Sequence, residues 1–265
     1  MISIIHKSSP KIAILTYVHN EPFFFPIWIK HYSSIFSSED IYVINNNSTD
    51  GSFEETQKKY TFNEIKFETE YNHDFYKLFD FIKIKIDELL SKYSGIYIAE
   101  CDELLFHKDG LIRAASTYIK HRLSTVRCLS YEPVQIYFGI KDYIEHELDL
   151  KKPLLSQRKY WRESWWMRKC VFITENIPFY LHMHDHDDIY TFADYKLMMM
   201  HLKFIDFEQL WKRNELTIQK GNISPIILKN NFGWQNRLDK QTFVGMFLNA
   251  IQQSSEIPEK YRNLI

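Results

Sequence analysis

The sequence predicts an α/β protein built on a mostly parallel sheet. Three observations carry this: an unbroken run of β-forming residues at 11–18, the alternation of such runs with helical spacing through the first half, and a long amphipathic stretch at 74–93.

Lys11-Ile12-Ala13-Ile14-Leu15-Thr16-Tyr17-Val18 lacks polar alternation, as a strand covered on both faces should. His19-Asn20-Glu21-Pro22 ends it. Residues 23–36 set apolar side chains at helical spacing, with Pro26 near the first turn, where a missing N–H is tolerated. A second strand at 40–44 passes into Asn45-Asn46-Asn47-Ser48-Thr49-Asp50-Gly51-Ser52, dense in turn and cap formers. A helix over 52–60 and a short strand over 64–68 follow. The amphipathic helix at 74–93 stops before Gly95, and a strand at 96–99 runs into Glu100-Cys101-Asp102-Glu103. Further on, the pattern predicts a helix at 111–121, one or two strands in 126–138, and a polar irregular stretch at 141–162. Strands at 170–173 and 195–202 and helices at 206–215 and 241–252 complete it. We read one domain over 1–215 and a helical C-terminal extension over 216–265.

Composition excludes several classes. Lys and Arg number 33 against 34 Asp and Glu, which denies a nucleic-acid binder its basic surplus. Seven glycines argue against a glycine-rich phosphate loop, so side chains or a metal must hold any phosphate. The three cysteines, Cys101, Cys128 and Cys170, have no CxxC spacing and suggest reduced thiols in the cytosol. The start is too short in apolar residues for a secretory leader, and no uncharged run reaches the length of a membrane span. The expectation is a cytoplasmic protein, with peripheral contact at the inner face of the membrane left open.

Three segments offer chemistry. While a chain stays extended, alternate side chains share a face, so Glu100 and Asp102 would point the same way at a strand's carboxyl end, where open α/β sheets bind ligands. Such a pair suits a hard cation that also takes phosphate oxygens; the bland reading is a solvated acidic turn. His182-Met183-His184-Asp185-His186-Asp187-Asp188 mixes imidazoles with carboxylates, a set that tolerates manganese; as a bland surface loop it would do nothing. The stretch 159–169, rich in Trp with interleaved Arg and Lys, suits stacking on sugars or bases, a membrane interface, or a core segment with snorkelling basic ends. His201, in an apolar strand, reads by itself as a satisfied core residue, and Lys203 on the same strand face is placed to meet a phosphate.

In their order, these pieces resemble glycosyltransferases of the GT-A fold, family 2-like. Thr16-Tyr17-Val18-His19-Asn20-Glu21 looks like the first strand's exit, where that group has Lys-Asn-Glu. Residues 45–52 are similar to its Asp-Asn-x-Ser-Thr-Asp-Gly-Ser turn. Glu100-Cys101-Asp102-Glu103-Leu104-Leu105 resembles its Asp-x-Asp-Glu-Phe-Leu metal motif, and His201 to Asp206 resembles a late histidine strand. The resemblance implies a GT-A (Rossmann-like) sheet flanked by helices and a nucleotide-diphosphate sugar, UDP-linked, as donor. Thr16, Val18 and Glu21 would line the base pocket, and Asn45 and Asp50 would flank base and ribose or brace the turn. Glu100, Asp102 and His201 would hold Mn2+ or Mg2+, with Lys203 on the leaving diphosphate. Asn45 stands where the group has Asp and Glu100 where it has the first Asp, which narrows the direct ligand to Asp102 with Glu100 beside it.

The acceptor implied is a glycan or glycolipid, and inverting transfer needs a base for its hydroxyl. Asp185, Asp187 and His184 are the candidates. Two rivals stand beside this reading. One is a metal-dependent hydrolase using His182, His184 and Asp187, a run that superficially resembles the His-x-His-x-Asp-His motif of metallo-β-lactamase-like enzymes with its last two residues reversed. The other is a non-enzymatic carbohydrate-binding protein using the tryptophan-rich segment.

Overall fold

The computed structural model describes residues 11–71, 74–107, 126–136, 145–164, 170–173, 192–220, 223–231 and 234–265. Four parallel strands form its centre: β1 (Ile12–Val18), β2 (Ile41–Asn46), β3 (Asn63–Phe67) and β4 (Gly95–Ile98), in the order β3-β2-β1-β4. Helix α1 (Phe24–Ser33) covers one face, α3 (Phe75–Leu90) the other, and the short α2 (Ser52–Gln57) follows β2. Ile12, Ile14 and Val18 share a core with Phe24, Trp28 and Tyr32 of α1. Ala13 and Leu15 share another with Leu78, Ile82 and Ile86 of α3. Burial on both sides is why the β1 run carries no polar alternation. The predicted α/β class, a mostly parallel sheet flanked by helices, is what the structure has.

Past β4 the sheet turns antiparallel. β8 (Cys170–Ile173) pairs with β4, then β6 (Val126–Val134), β7 (Tyr160–Ser164) and β10 (Ser255–Glu256) follow outward. β9 (Phe192–His201) runs parallel to β6 on one side and antiparallel to β5 (Glu103–His107) on the other. The C-terminal helices α4 (Phe207–Lys220) and α6 (Lys240–Gln252), with the short α5 (Pro225–Lys229) between them, close the chain. Phe207, Trp211, Phe243 and Phe247 form a third core with Val134 of β6.

Several expectations change in detail. Helices α2 and α3 are shorter at both or one end than the periodic stretches, because the flanking residues enter turns. β5 is a strand that the sequence pattern does not predict, and the stretch expected to be irregular to 162 enters β7 at Tyr160. β9 ends at His201, so Lys203 lies in a 3-10 turn (Leu202–Phe204) rather than on the strand face. The helix expected at 111–121 lies outside the described residues.

The second edge of β5 is closed by side chains of α1. Tyr32 Oη donates to the Glu103 carbonyl (3.1 Å) and accepts from the Leu105 N–H (3.0 Å), and His31 Nε2 lies 2.9 Å from the Leu105 carbonyl. Neutral His31 donates there. Burial pushes its pKa down to about 4, against the pull of that carbonyl. Above pH 6.5 the ring is neutral in both states, whereas below it the unfolded chain binds a proton that the folded chain refuses. Stability is therefore lost as the pH falls from about 6.5 towards 4. In urea denaturation, His31→Gln should lose about 2 kcal/mol less than wild type between pH 7 and pH 5. Equal losses in the two proteins would contradict this.

Candidate functional site

β4 ends at Ile98 and the chain turns at Cys101 and Asp102. The Glu103 N–H donates to the Glu100 carbonyl (2.9 Å), and the Glu103 carboxylate accepts from the Glu100 N–H (2.9 Å). The extended geometry that would point Glu100 and Asp102 the same way is therefore absent; a turn separates them. Asp102, 3% exposed, is docked instead onto the end of β9, its carbonyl accepting from the Leu202 N–H at 2.7 Å.

β9 is the axis of the site. Its register sets His201 opposite Glu103 of β5, and Met200 opposite Tyr131 of β6, which brings Glu132 alongside His201. His201 Nδ1 lies 2.8 Å from Glu132 Oε1, and Nε2 lies 3.6 Å from Asp102 Oδ2. Arg162 Nε donates to the other Glu132 oxygen at 2.6 Å and stacks 4.7 Å over the Phe204 ring. The result is a buried chain, Arg162–Glu132–His201–Asp102. Burial alone would lower the His201 pKa; Asp102 and Glu132 outweigh it and raise it to about 9. Burial works to raise Glu132, but His201 and Arg162 hold it below the usual range.

Beside this chain stands Arg213 of α4. Its Nη2 meets Glu21 Oε1 at 2.8 Å and its Nη1 meets Asp102 Oδ2 at 3.3 Å. Glu21 is buried. Burial pushes its carboxyl up to about 7, Arg213 pulls the other way, and Asp102, Asp50 and Glu100 add to the rise.

The third part is the pair of loops leaving β1 and β2. Asn20, at φ 52°, accepts from the N–H groups of Thr49 (2.7 Å) and Asp50 (3.2 Å), and His19 Nδ1 lies 2.6 Å from the Asn46 carbonyl. Asn45 Oδ1 accepts from the Ser48 N–H (3.0 Å), and its amide donates to Glu64 (3.1 Å). Asp50 accepts from the Ser52 N–H (3.0 Å) and hydroxyl (2.6 Å), tightening the turn ahead of α2. Gly51 sits at φ 80°, which a side chain disfavours. These residues brace the turn against the exit of β1. Because β1, β2 and β4 are parallel, this turn, Glu21 and the acidic turn all gather at their carboxyl ends, the end where open α/β sheets take ligands.

The structure thus brings together Asp102, His201 and Glu21. Glu100 lies on the same turn as Asp102. Asn45 and Asp50 serve the neighbouring turn. Thr16 and Val18 are buried in β1, Val18 within the core under α1. Lys203 is half-buried in the 3-10 turn; burial lowers its pKa, with Glu132 and Asp102 opposing. His182, His184, Asp185, His186, Asp187 and Asp188 lie outside the described residues. In the tryptophan-rich segment, Trp161 is core rather than an open platform, stacked on Tyr131 at 4.6 Å and against Tyr261 at 5.3 Å. Glu132, Arg162 and Arg213 were not singled out from the sequence. The one local signal for Glu132 was a carboxylate set inside a strand-forming run.

Among the described residues no three His, Cys, Asp or Glu side chains form a metal-holding group. Asp102 and His201 supply two donors. A divalent cation here would have to displace the Nε2 proton that Asp102 and Glu132 favour; Glu132 on Nδ1, the usual second partner of a metal-binding imidazole, would then leave Nε2 and Asp102 to face the ion. Two protein donors leave the remaining positions to substrate oxygens and water, which suits Mn2+ or Mg2+ with phosphates better than a closed zinc site. Glu132→Gln should accordingly weaken Mn2+ binding in the presence of a nucleoside diphosphate about 10- to 100-fold, read by EPR of free Mn2+. An unchanged affinity would remove Glu132 from the site.

An open groove of about 750 Å³ between the start of α1 and α2 is the other candidate, lined among others by Pro22, Pro26, Asp50, Glu54, Glu55 and Lys59. Its rim is acidic, which suits a diphosphate poorly.

Fold and site define an α/β protein with a carboxylate–histidine centre at the carboxyl end of its parallel strands. No family model matches the chain, and no curated protein matches it. Among solved structures it is similar in part to the mannosyltransferase PcManGT from Pyrobaculum calidifontis, in complex with GDP-Man and Mn2+: 16% identity over 47% of this chain and 36% of that one, TM-score 0.33. It is similar also to S. aureus TarS, at 11% identity over 96% of this chain and 50% of that one, TM-score 0.37. The chain thus spans half or less of either structure.

Proposed function

We propose that the chain is a glycosyltransferase that moves a sugar from a nucleotide-diphosphate sugar, UDP-linked, to a glycan or glycolipid acceptor. The observation that carries this is the Arg162–Glu132–His201–Asp102 chain, set beside the braced 45–52 turn at the carboxyl end of the sheet. In such transfer the bond from the anomeric carbon to the diphosphate oxygen breaks, and negative charge collects on the leaving group. A divalent ion bound at Asp102 and His201 supplies positive charge there. Glu132 fixes the imidazole, Arg162 keeps Glu132 ionised, and Lys203 lies one turn further on. Glu21, Asn45 and Asp50 border the nucleotide side, with Thr16 and Val18 beneath it, and Glu100 assists Asp102. For inversion, an acceptor hydroxyl attacks the opposite face while a base from Asp185, Asp187 or His184 takes its proton.

Among the described residues no helix is long and apolar enough to cross a membrane, and contact with the cytoplasmic face of one belongs to the same proposal. A thermal-shift screen of uridine, guanosine and cytidine diphosphates, each with and without Mn2+, tests the reading. A shift that needs nucleotide and metal together is the expected result. Zinc carried through purification, with no response to any nucleotide, would favour the hydrolase instead; a response to glycans without nucleotide or metal would favour the binding protein.

A further inference from the structure

We propose that Arg213 grips the donor's diphosphate directly, as a protein cation working beside the divalent ion; this rests on the donor reading above. Its position supports the role. The two carboxylates it pairs with are buried, with side chains 8% (Glu21) and 4% (Asp102) exposed, whereas its own side chain is 39% exposed. The guanidinium is thus held by two buried carboxylates and lies 5.7 Å over the Phe24 ring, while the side chain as a whole keeps access to solvent. One N–H on each Nη goes to a carboxylate, leaving the rest of the planar fork for an anion, in the geometry that suits two phosphate oxygens.

The charge around Arg213 gives the reason for such a group. Glu21 feels the carboxylates of Asp102, Asp50 and Glu100 together, and Arg213 opposes them there. A diphosphate entering that acidic field gains from a protein cation beside the divalent ion. Lys203 is the alternative, but its ammonium sits 6.0 Å over the Phe204 ring and lacks the planar fork that meets two phosphate oxygens. The pairing with Asp102 also couples the two cations. If Asp102 turned to a divalent ion, Arg213 Nη1 would be released toward the phosphates, so Mn2+ alone would have to compete with Arg213 whereas the diphosphate would favour both.

The probe is inorganic pyrophosphate with Mn2+, measured by calorimetry on the full chain, alongside Mn2+ alone measured by EPR. Arg213→Gln should weaken pyrophosphate binding about tenfold or more, while Mn2+ alone binds as tightly as to wild type or tighter. Arg213→Lys keeps a charge without the fork and should show a smaller loss of pyrophosphate with Mn2+ binding unchanged; it carries the test if Arg213→Gln does not fold. Pyrophosphate affinity equal to wild type in the folded variant would overturn the proposal. So would a parallel loss of Mn2+ binding, which a merely structural ion pair would produce. Wild-type binding of nucleoside diphosphates is scored separately: if it is present and the variants match it, Arg213 alone loses its role. If wild type binds neither nucleoside diphosphate nor pyrophosphate, the donor reading falls, and this inference with it.

Discussion

Asp102→Asn should lower sugar transfer by about a thousandfold or more while leaving the fold in place. The substitution keeps the shape of a buried side chain and the backbone bond from Leu202, which holds the acidic turn to β9. What it removes is charge. His201 loses the carboxylate 3.6 Å from Nε2, and Arg213 loses the one 3.3 Å from Nη1. A divalent ion loses its anionic donor at this point, and an amide oxygen replaces it poorly. Transfer measured from a nucleotide sugar that binds, with far-ultraviolet circular dichroism on the same preparation, checks both halves. Near-normal turnover by a folded Asp102→Asn protein would make this carboxylate a structural ion-pair partner and nothing more.

The largest effect on stability is expected at Arg158, away from the chemistry. This arginine is 1% exposed. It donates to the carbonyls of Ile205 (2.5 Å), His146 (2.9 Å) and Gln157 (2.9 Å), and it meets Asp206 at 3.3 Å and Glu145 at 3.9 Å. Glu145 accepts in turn from the N–H groups of Ile136 and Lys159, and Gln135 accepts from the Phe207 N–H. The network ties the end of β6 to the turn after His201 and to the start of α4. It therefore sets the spacing between His201 and Arg213. Arg158→Met fills the volume but leaves two buried carboxylates without their cation, a loss of about 3–5 kcal/mol. That corresponds to a melting temperature lower by roughly 10 °C. A change of a degree or two would mean that water already satisfies these groups.

The centre of the fold was legible because its physics is local. β1 and β2 are short runs buried on both faces, and the 45–52 turn is written in residues that form turns and caps. The acidic residues were legible as a cluster but not as a geometry: alternation holds only while the chain is extended, and the Glu103–Glu100 bond closes a turn there. Glu132 and Arg213 were hidden for a different reason. Glu132 reaches His201 across 69 positions of sequence, through the parallel register of β6 and β9, and Arg213 reaches Asp102 across 111. No local pattern encodes such pairings. Arg162 sat in a segment whose aromatic and basic composition suggested sugar stacking. In the structure Trp161 is core and the arginine is bound to Glu132.

On the proposed reading, Asp102 and His201 would form a half-site completed by the donor's diphosphate. The direct measurement is Mn2+ affinity by EPR, with and without a saturating nucleoside diphosphate that binds the protein. Mn2+ alone should bind weakly, at least about tenfold more tightly with the nucleotide, and the coupling should disappear in Asp102→Asn. Mn2+ affinity that is the same with and without nucleotide, or coupling that survives in Asp102→Asn, would contradict it.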